Sequence, residues 1–130
     1  MIALDTNVLV RIVIDDDPAQ SRKARAMLDR ESGYVPVTVL LESEWVLRGA
    51  YGLAPAKVLA IFERLLRVRG IDVEEPARVR RALAWYAQGM DLADALHVAG
   101  ASTATSFATF DRKLARRAAK LRVAPPVIHP

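Results

Sequence analysis

At 130 residues, 52% hydrophobic and 26% charged, the chain falls within the usual size of one domain and is long enough to bury a core. It has no cysteine, which excludes a disulfide framework, a Cys-ligated zinc and a thiol nucleophile, and agrees with a reducing, cytoplasmic setting. The formal net charge of +4 is unevenly spread: residues 1–75 carry 10 Lys or Arg against 12 Asp or Glu, and residues 76–130 carry 9 against 3.

The chain opens with "IALDTNVLVRIVIDDD", an apolar run broken by Asp5. Ile2–Leu4 reads as a short buried strand, and Thr6 onward has helical spacing, with Val8, Leu9, Ile12 and Val13 on one side. Arg11 ends the apolar run far short of the ~18 residues of a membrane span, and no basic segment precedes an apolar one, so no membrane association or export is expected. A carboxylate within an apolar segment costs several kcal/mol unless compensated. At this strand-to-helix junction Asp5 is either a helix N-cap or a ligand at the carboxyl end of a parallel strand, and one residue does not decide between them.

Further helices are predicted over Pro18–Asp29, Thr38–Tyr51, Pro55–Arg67, Pro76–Ala87, Leu92–Ala101 and Arg112–Lys120, after a first over Thr6–Ile14. Between them, Gly33–Val37, Gly70–Val73 and Ser106–Phe110 read as short strands; the tail "LRVAPPVI" contains two prolines, which make it an edge strand or none. Strands alternating with helices predict one α/β domain over 1–130, a three-layer α/β/α sandwich with a central, mainly parallel sheet.

Within the third helix, Glu44 has Arg48 four residues on and reads as structural, whereas Glu42 shares a stripe with Val39, Trp45, Val46 and Gly49, an apolar face on which a carboxylate needs a partner. The fourth helix shows a broad apolar face, Val58, Leu59, Ile61, Phe62, Leu65 and Leu66, which with Trp45 and Leu47 exceeds what a small sheet needs as cover. In "GMDLADALHVAGAS", Asp91 is placed as an N-cap and Asp94 in the first turn, where the helix dipole favours an anion. His97, one turn on, reads as a packed or hydrogen-bonded helix histidine. Asp111 follows a strand-like run just as Asp5 does, and it too could be an N-cap. The only acids after residue 75 are Asp91, Asp94 and Asp111, set in a basic segment of net +6. Such a surface suits a polyanion such as nucleic acid, although a charged face is commonly just solvated. Arg78, Arg80 and Arg81 on one helix and Arg112, Lys113, Arg116 and Arg117 on another are candidates for phosphate contacts.

In a parallel sheet the strand ends lie on one edge, so Asp5, Glu42, Asp94 and Asp111 could meet there. Like charges so gathered repel unless a cation neutralises them, and all-oxygen ligands suit Mg²⁺ or Mn²⁺. A hard dication beside a basic surface fits phosphodiester hydrolysis.

"ALDTNVLVR", "VTVLLESEWVLRGAYG", "DLADALHVAGAS" and "FATFDRKLARRA" resemble, in order and spacing, the motifs of PIN-domain nucleases, in particular VapC-type ribonuclease toxins of toxin–antitoxin pairs. The resemblance runs from Ala3 to Ala118. It implies the same α/β/α fold, a metal-dependent endoribonuclease hydrolysing RNA phosphodiester bonds with metal-activated water, and Asp5, Glu42, Asp94 and Asp111 as the catalytic quartet that holds Mg²⁺ or Mn²⁺. It also implies Asp91 as an accessory ligand, Thr6 and Thr109 as orienting groups, a cytoplasmic setting, a homodimer and a small antitoxin protein that blocks the site. The aromatic expected after "TFDR" is absent, which bears on packing and not on chemistry. A haloacid-dehalogenase-type phosphatase would want an acid where Asn7 stands, and a receiver would want a strand-end Lys. A metal-independent ribonuclease pairing His97 with His129, and a PIN-like RNA-binding or scaffold protein without catalysis, are the other readings.

Overall fold

The computed structural model describes residues 1–130 and contains five short strands and seven helices. Every strand pair is parallel. The expected class, α/β with parallel strands, is the one observed, consistent with a PIN-like α/β/α fold. Contacts gather into two compact units, Met1–Pro76 and Ala77–Pro130, described here in turn.

The first unit runs β1 (Ile2–Ala3), α1 (Thr6–Val13), α2 (Pro18–Leu28), β2 (Gly33–Val35), α3 (Val37–Gly49), α4 (Pro55–Leu65) and β3 (Ile71–Val73). Its sheet has the order β1-β2-β3, with Ile2 opposite Gly33 and Gly33 opposite Ile71. Parallel pairing sets the carboxyl ends of these strands along one edge, which is where Asp5, Pro36 and Glu74 follow them. Gly33 sits against two leucines: a Cβ there would meet Leu28 Cδ2 at 2.8 Å and Leu4 Cδ1 at 3.0 Å, so both side chains would have to shift for a larger residue. Pro18 and Pro55 start their helices, where a missing N–H is harmless, and Asp17 caps α2 by accepting from the Gln20 N–H at 3.1 Å. The core is built from Leu4, Leu9, Val35, Leu40, Leu47, Val58, Phe62, Leu65 and Ile71.

Two expectations are corrected here. The inward stripe of α3 is Val37, Leu40, Ser43, Glu44 and Leu47, while Glu42 and Trp45 are exposed, so the apolar stripe drawn through Glu42 is not the buried one. Two polar residues on the inward face misled the pattern, and both are satisfied within the helix. The Ser43 hydroxyl donates to the Val39 carbonyl at 2.7 Å, and Glu44, 1% exposed, takes a bidentate pair of bonds from Arg48. On α4, Val58, Phe62 and Leu65 are core, so much of the surplus apolar face is used up; Leu59, Ile61 and Leu66 remain partly exposed, and Leu47 is buried.

The second unit holds α5 (Pro76–Ala87), α6 (Leu92–Ala99), β4 (Phe107–Ala108), α7 (Arg112–Leu121) and β5 (Val127–Ile128). The proline-containing tail does form a strand, paired with β4 alone: it starts after Pro126, whose carbonyl accepts from the Phe107 N–H, while the Ile128 carbonyl accepts from the Thr109 N–H, both at 2.9 Å. Val79, Ala82, Leu83, Leu92, Ala95, Leu96, Val98, Leu114 and Ala118 form its core. No helix of the chain is long and apolar enough to cross a membrane.

Candidate active site

In the first unit, β1 delivers the chain to Leu4, whose N–H donates to the Tyr34 carbonyl at 2.8 Å, and Asp5 follows in extended conformation. Asp5 occupies the N-cap position of α1, and its carbonyl accepts from the Leu9 N–H at 3.0 Å. Its carboxylate makes no capping bond and is exposed, so the helix does not account for the charge. The next residue, Thr6, is buried, and its hydroxyl donates to Glu42 Oε1 on α3. Glu42 is thereby tied to the residue that follows Asp5. The start of α3 that carries Glu42 is itself fixed from a distance, because Pro36 has no side chain able to cap it and Glu74 Oε1 accepts the Val37 N–H at 2.8 Å.

In the second unit the turn after α5 passes through Gly89 at φ +98° and reaches Asp91, which caps α6 by accepting the Asp94 N–H at 3.2 Å. Asp94 stands in the first turn, partly buried. Its pKa is raised, first by burial and then by repulsion from Asp91 and Asp111, with His97 acting weakly in the opposite sense. Asp111 caps α7: its Oδ1 accepts from the Lys113 N–H at 3.0 Å and the Leu114 N–H at 3.1 Å, while the Asp111 N–H donates to Thr109 Oγ1 at 3.0 Å. Both capping bonds fall on Oδ1. Asp91, Asp94 and Asp111 line one cleft of about 290 Å³ with Gly89, Met90, Leu114 and two cations, Lys113 and Arg117.

The side chains therefore come together as Asp94 with Asp111 and Asp91, and as Glu42 with Thr6 beside Asp5. No three His, Cys, Asp or Glu side chains stand in an arrangement that holds a metal by itself. The donor chemistry nonetheless fits Mg²⁺ or Mn²⁺: the donors are carboxylate oxygens, and the burial and like-charge repulsion that raise Asp94 are penalties a dication relieves.

Other expectations change. Arg78 and Arg81 donate to the Leu96 and Ala99 carbonyls at the C-terminal end of α6, at 3.1 Å and 2.9 Å, so their guanidinium groups serve the helix end, where cations are favoured, rather than free phosphate contacts. His97 is exposed rather than packed, and His129 is exposed with Nδ1 2.9 Å from the Pro130 carbonyl. Thr6 and Thr109 do orient carboxyl-bearing residues, the former through Glu42 and the latter through the Asp111 backbone. What the sequence did not suggest is the seat of Arg117, whose Nη1 donates to the Gln88 carbonyl at 3.2 Å and lies where a Cβ on Gly89 would be met at 2.7 Å. Only the glycine itself signalled it.

The PIN domain family model matches residues 2–120. The chain belongs to the PIN domain family. PIN domains are generally metal-dependent nucleases, so the match supports hydrolytic action on nucleic acid. No curated protein and no solved structure matches the chain.

Proposed function

We propose that this PIN-domain chain is a metal-dependent endoribonuclease, the toxin of a type II toxin–antitoxin pair, working in the cytoplasm as one nuclease domain over 1–130. The observation that carries this reading is the cleft in which Asp94 is crowded by Asp91 and Asp111 and flanked by Lys113 and Arg117, an acidic centre with a cationic rim suited to a phosphodiester. Asp5, Glu42, Asp94 and Asp111 would hold Mg²⁺ or Mn²⁺, with Asp91 kept to its capping role. The bound ion would supply an activated water and neutralise charge on the departing oxygen. Lys113 and Arg117 hold the backbone phosphate, Thr6 fixes the rotamer of Glu42, and the α7 cap fixes Asp111. Asp94, whose charge is penalised by burial and by Asp91 and Asp111, is a carboxylate that a bound dication would relieve.

The test is incubation of purified protein with total and structured RNAs in Mg²⁺, Mn²⁺ or EDTA, beside Asp94→Asn. Discrete fragments that need metal and vanish in the variant are expected; equal cutting by the variant would end the assignment. A second reading is an RNA-binding PIN-like protein without catalysis. It predicts RNA retention with no cutting in any metal. A homodimer and a small antitoxin are proposed partners, supported by Trp45, 51% exposed, and the partly exposed Leu59, Ile61 and Leu66. A strict monomer by light scattering, with no small protein co-purifying from the native host, would count against both.

A further inference from the structure

Phe110 is the most exposed large apolar side chain of the protein, at 79%, although burying a phenyl group is worth roughly 1.5–3 kcal/mol. It is held out on a firm support. The preceding Thr109 N–H is bonded to the Ile128 carbonyl, and the following Asp111 is pinned by Thr109 Oγ1 and by its own cap on α7. His129 meets the ring edge-on, with centroids 5.8 Å apart and planes at 86°, so one aromatic neighbour steadies the ring without sandwiching it. Beyond Asp111 come Arg112 and Lys113, then Arg116 and Lys120, none of them in an ion pair.

We infer that the Phe110 ring is a stacking platform for one unpaired base of the RNA, next to the phosphate handled at Asp111. The inference rests on the nuclease reading for its substrate. Phe110 does not line the acidic cleft but adjoins Asp111 in the chain, their Cα atoms ~3.8 Å apart, so a base stacked on the ring lies within a few nucleotides of the carboxylate. Unpaired cations beside an open aromatic face are the combination that holds single-stranded nucleic acid, phosphate on one side and base on the other. Size argues against a protein partner. The exposed apolar surface at this spot is one ring and the half-exposed Ile128, whereas a stable protein interface needs on the order of 800 Å² per partner.

The experiment measures binding apart from cutting. In the Asp94→Asn background and in EDTA, the affinity for a single-stranded RNA of about ten nucleotides is compared among Phe110, Phe110→Ala and Phe110→Trp. The alanine change is expected to weaken binding roughly 5- to 150-fold, and the tryptophan change to retain it, with the added indole fluorescence quenched by RNA. Abasic substitution at one position of the RNA should reproduce the loss and add nothing to Phe110→Ala. Affinity unchanged within about twofold, or no such abasic position, overturns the proposal. So does a Phe110→Ala protein that loses oligomeric mass in light scattering while binding RNA normally, which would make the ring a protein contact. Circular dichroism checks that the variants fold. If RNA is bound through Phe110 but the unmutated site never cuts it, the nuclease reading fails and the platform stands; if it cuts RNA and Phe110→Ala binds RNA as before, the reverse holds.

Discussion

Removing the charge of Asp94 separates its two effects. Because its folded-state pKa is raised, the stability contributed by its protonation is fully present below the ordinary carboxylate range and is lost as pH rises through the raised value. At neutral pH without metal the ionised group is therefore a burden, and Asp94→Asn in EDTA should melt higher than the parent at pH 7, with the gap closing toward acid. Cleavage should be lost at the same time. A variant that melts lower at pH 7 would mean that neither burial nor repulsion penalises the ionised group. Asp5 offers the complementary case, since it makes no capping bond that Asn would need to replace. Asp5→Asn should leave the melting temperature in EDTA unchanged or higher, shrink the gain from added Mn²⁺, and abolish cutting. Activity with undiminished metal stabilisation would return Asp5 to a structural role.

At the level of elements, the turn before α6 sets where Asp91 and Asp94 stand, and it depends on Gly89. Gly89→Ala would place a Cβ at φ +98° and 2.7 Å from Arg117 Nη1, and should destabilise by about 1–3 kcal/mol, read as a lower urea midpoint at unchanged m-value. An unchanged midpoint would show that Arg117 swings aside and the turn accepts a side chain. The helices were legible from proline starts and periodicity: α5 has the expected limits, and the other six differ from expectation by one or two residues at an end. The strands were legible as apolar runs but shorter than drawn: β1 and β2 stop where the chain turns into the next helix, β3 starts one residue late, and β4 loses residues at both ends. Asp91 and Asp111 could be read as caps because capping is local. The face of α3 could not be read, because Ser43 and Glu44 are buried with partners that hydropathy does not see, and neither could its cap, which comes from Glu74, 37 residues away. Arg78 and Arg81 misled for the same reason, a charge being visible in the sequence while its carbonyl partner on another helix is not.

For the molecule as a whole, the relevant field is that of the basic second unit. If four of the α7 cations neutralise phosphates, the affinity for single-stranded RNA should fall with log salt at a slope of about −3, and neutralising Arg112 and Lys113 together should reduce the slope by about 1.4. A flat salt response would show that these charges are only solvated. The all-parallel strand pairing has a consequence for synthesis. Because no strand pairs with its sequence neighbour through a tight hairpin, each pairing waits for a distant partner, and even the shortest, Phe107 with Val127, spans all of α7. A chain emerging from the ribosome can close the sheet of its first unit early, yet β4, the strand leading to Asp111, stays unpaired until residues 127 and 128 are out. Support for the Asp111 edge therefore depends on residues 127 and 128, so a chain cut back before Val127 is expected to keep the β1–β2–β3 sheet while losing any activity that needs Asp111 in place, read by circular dichroism beside the cleavage assay.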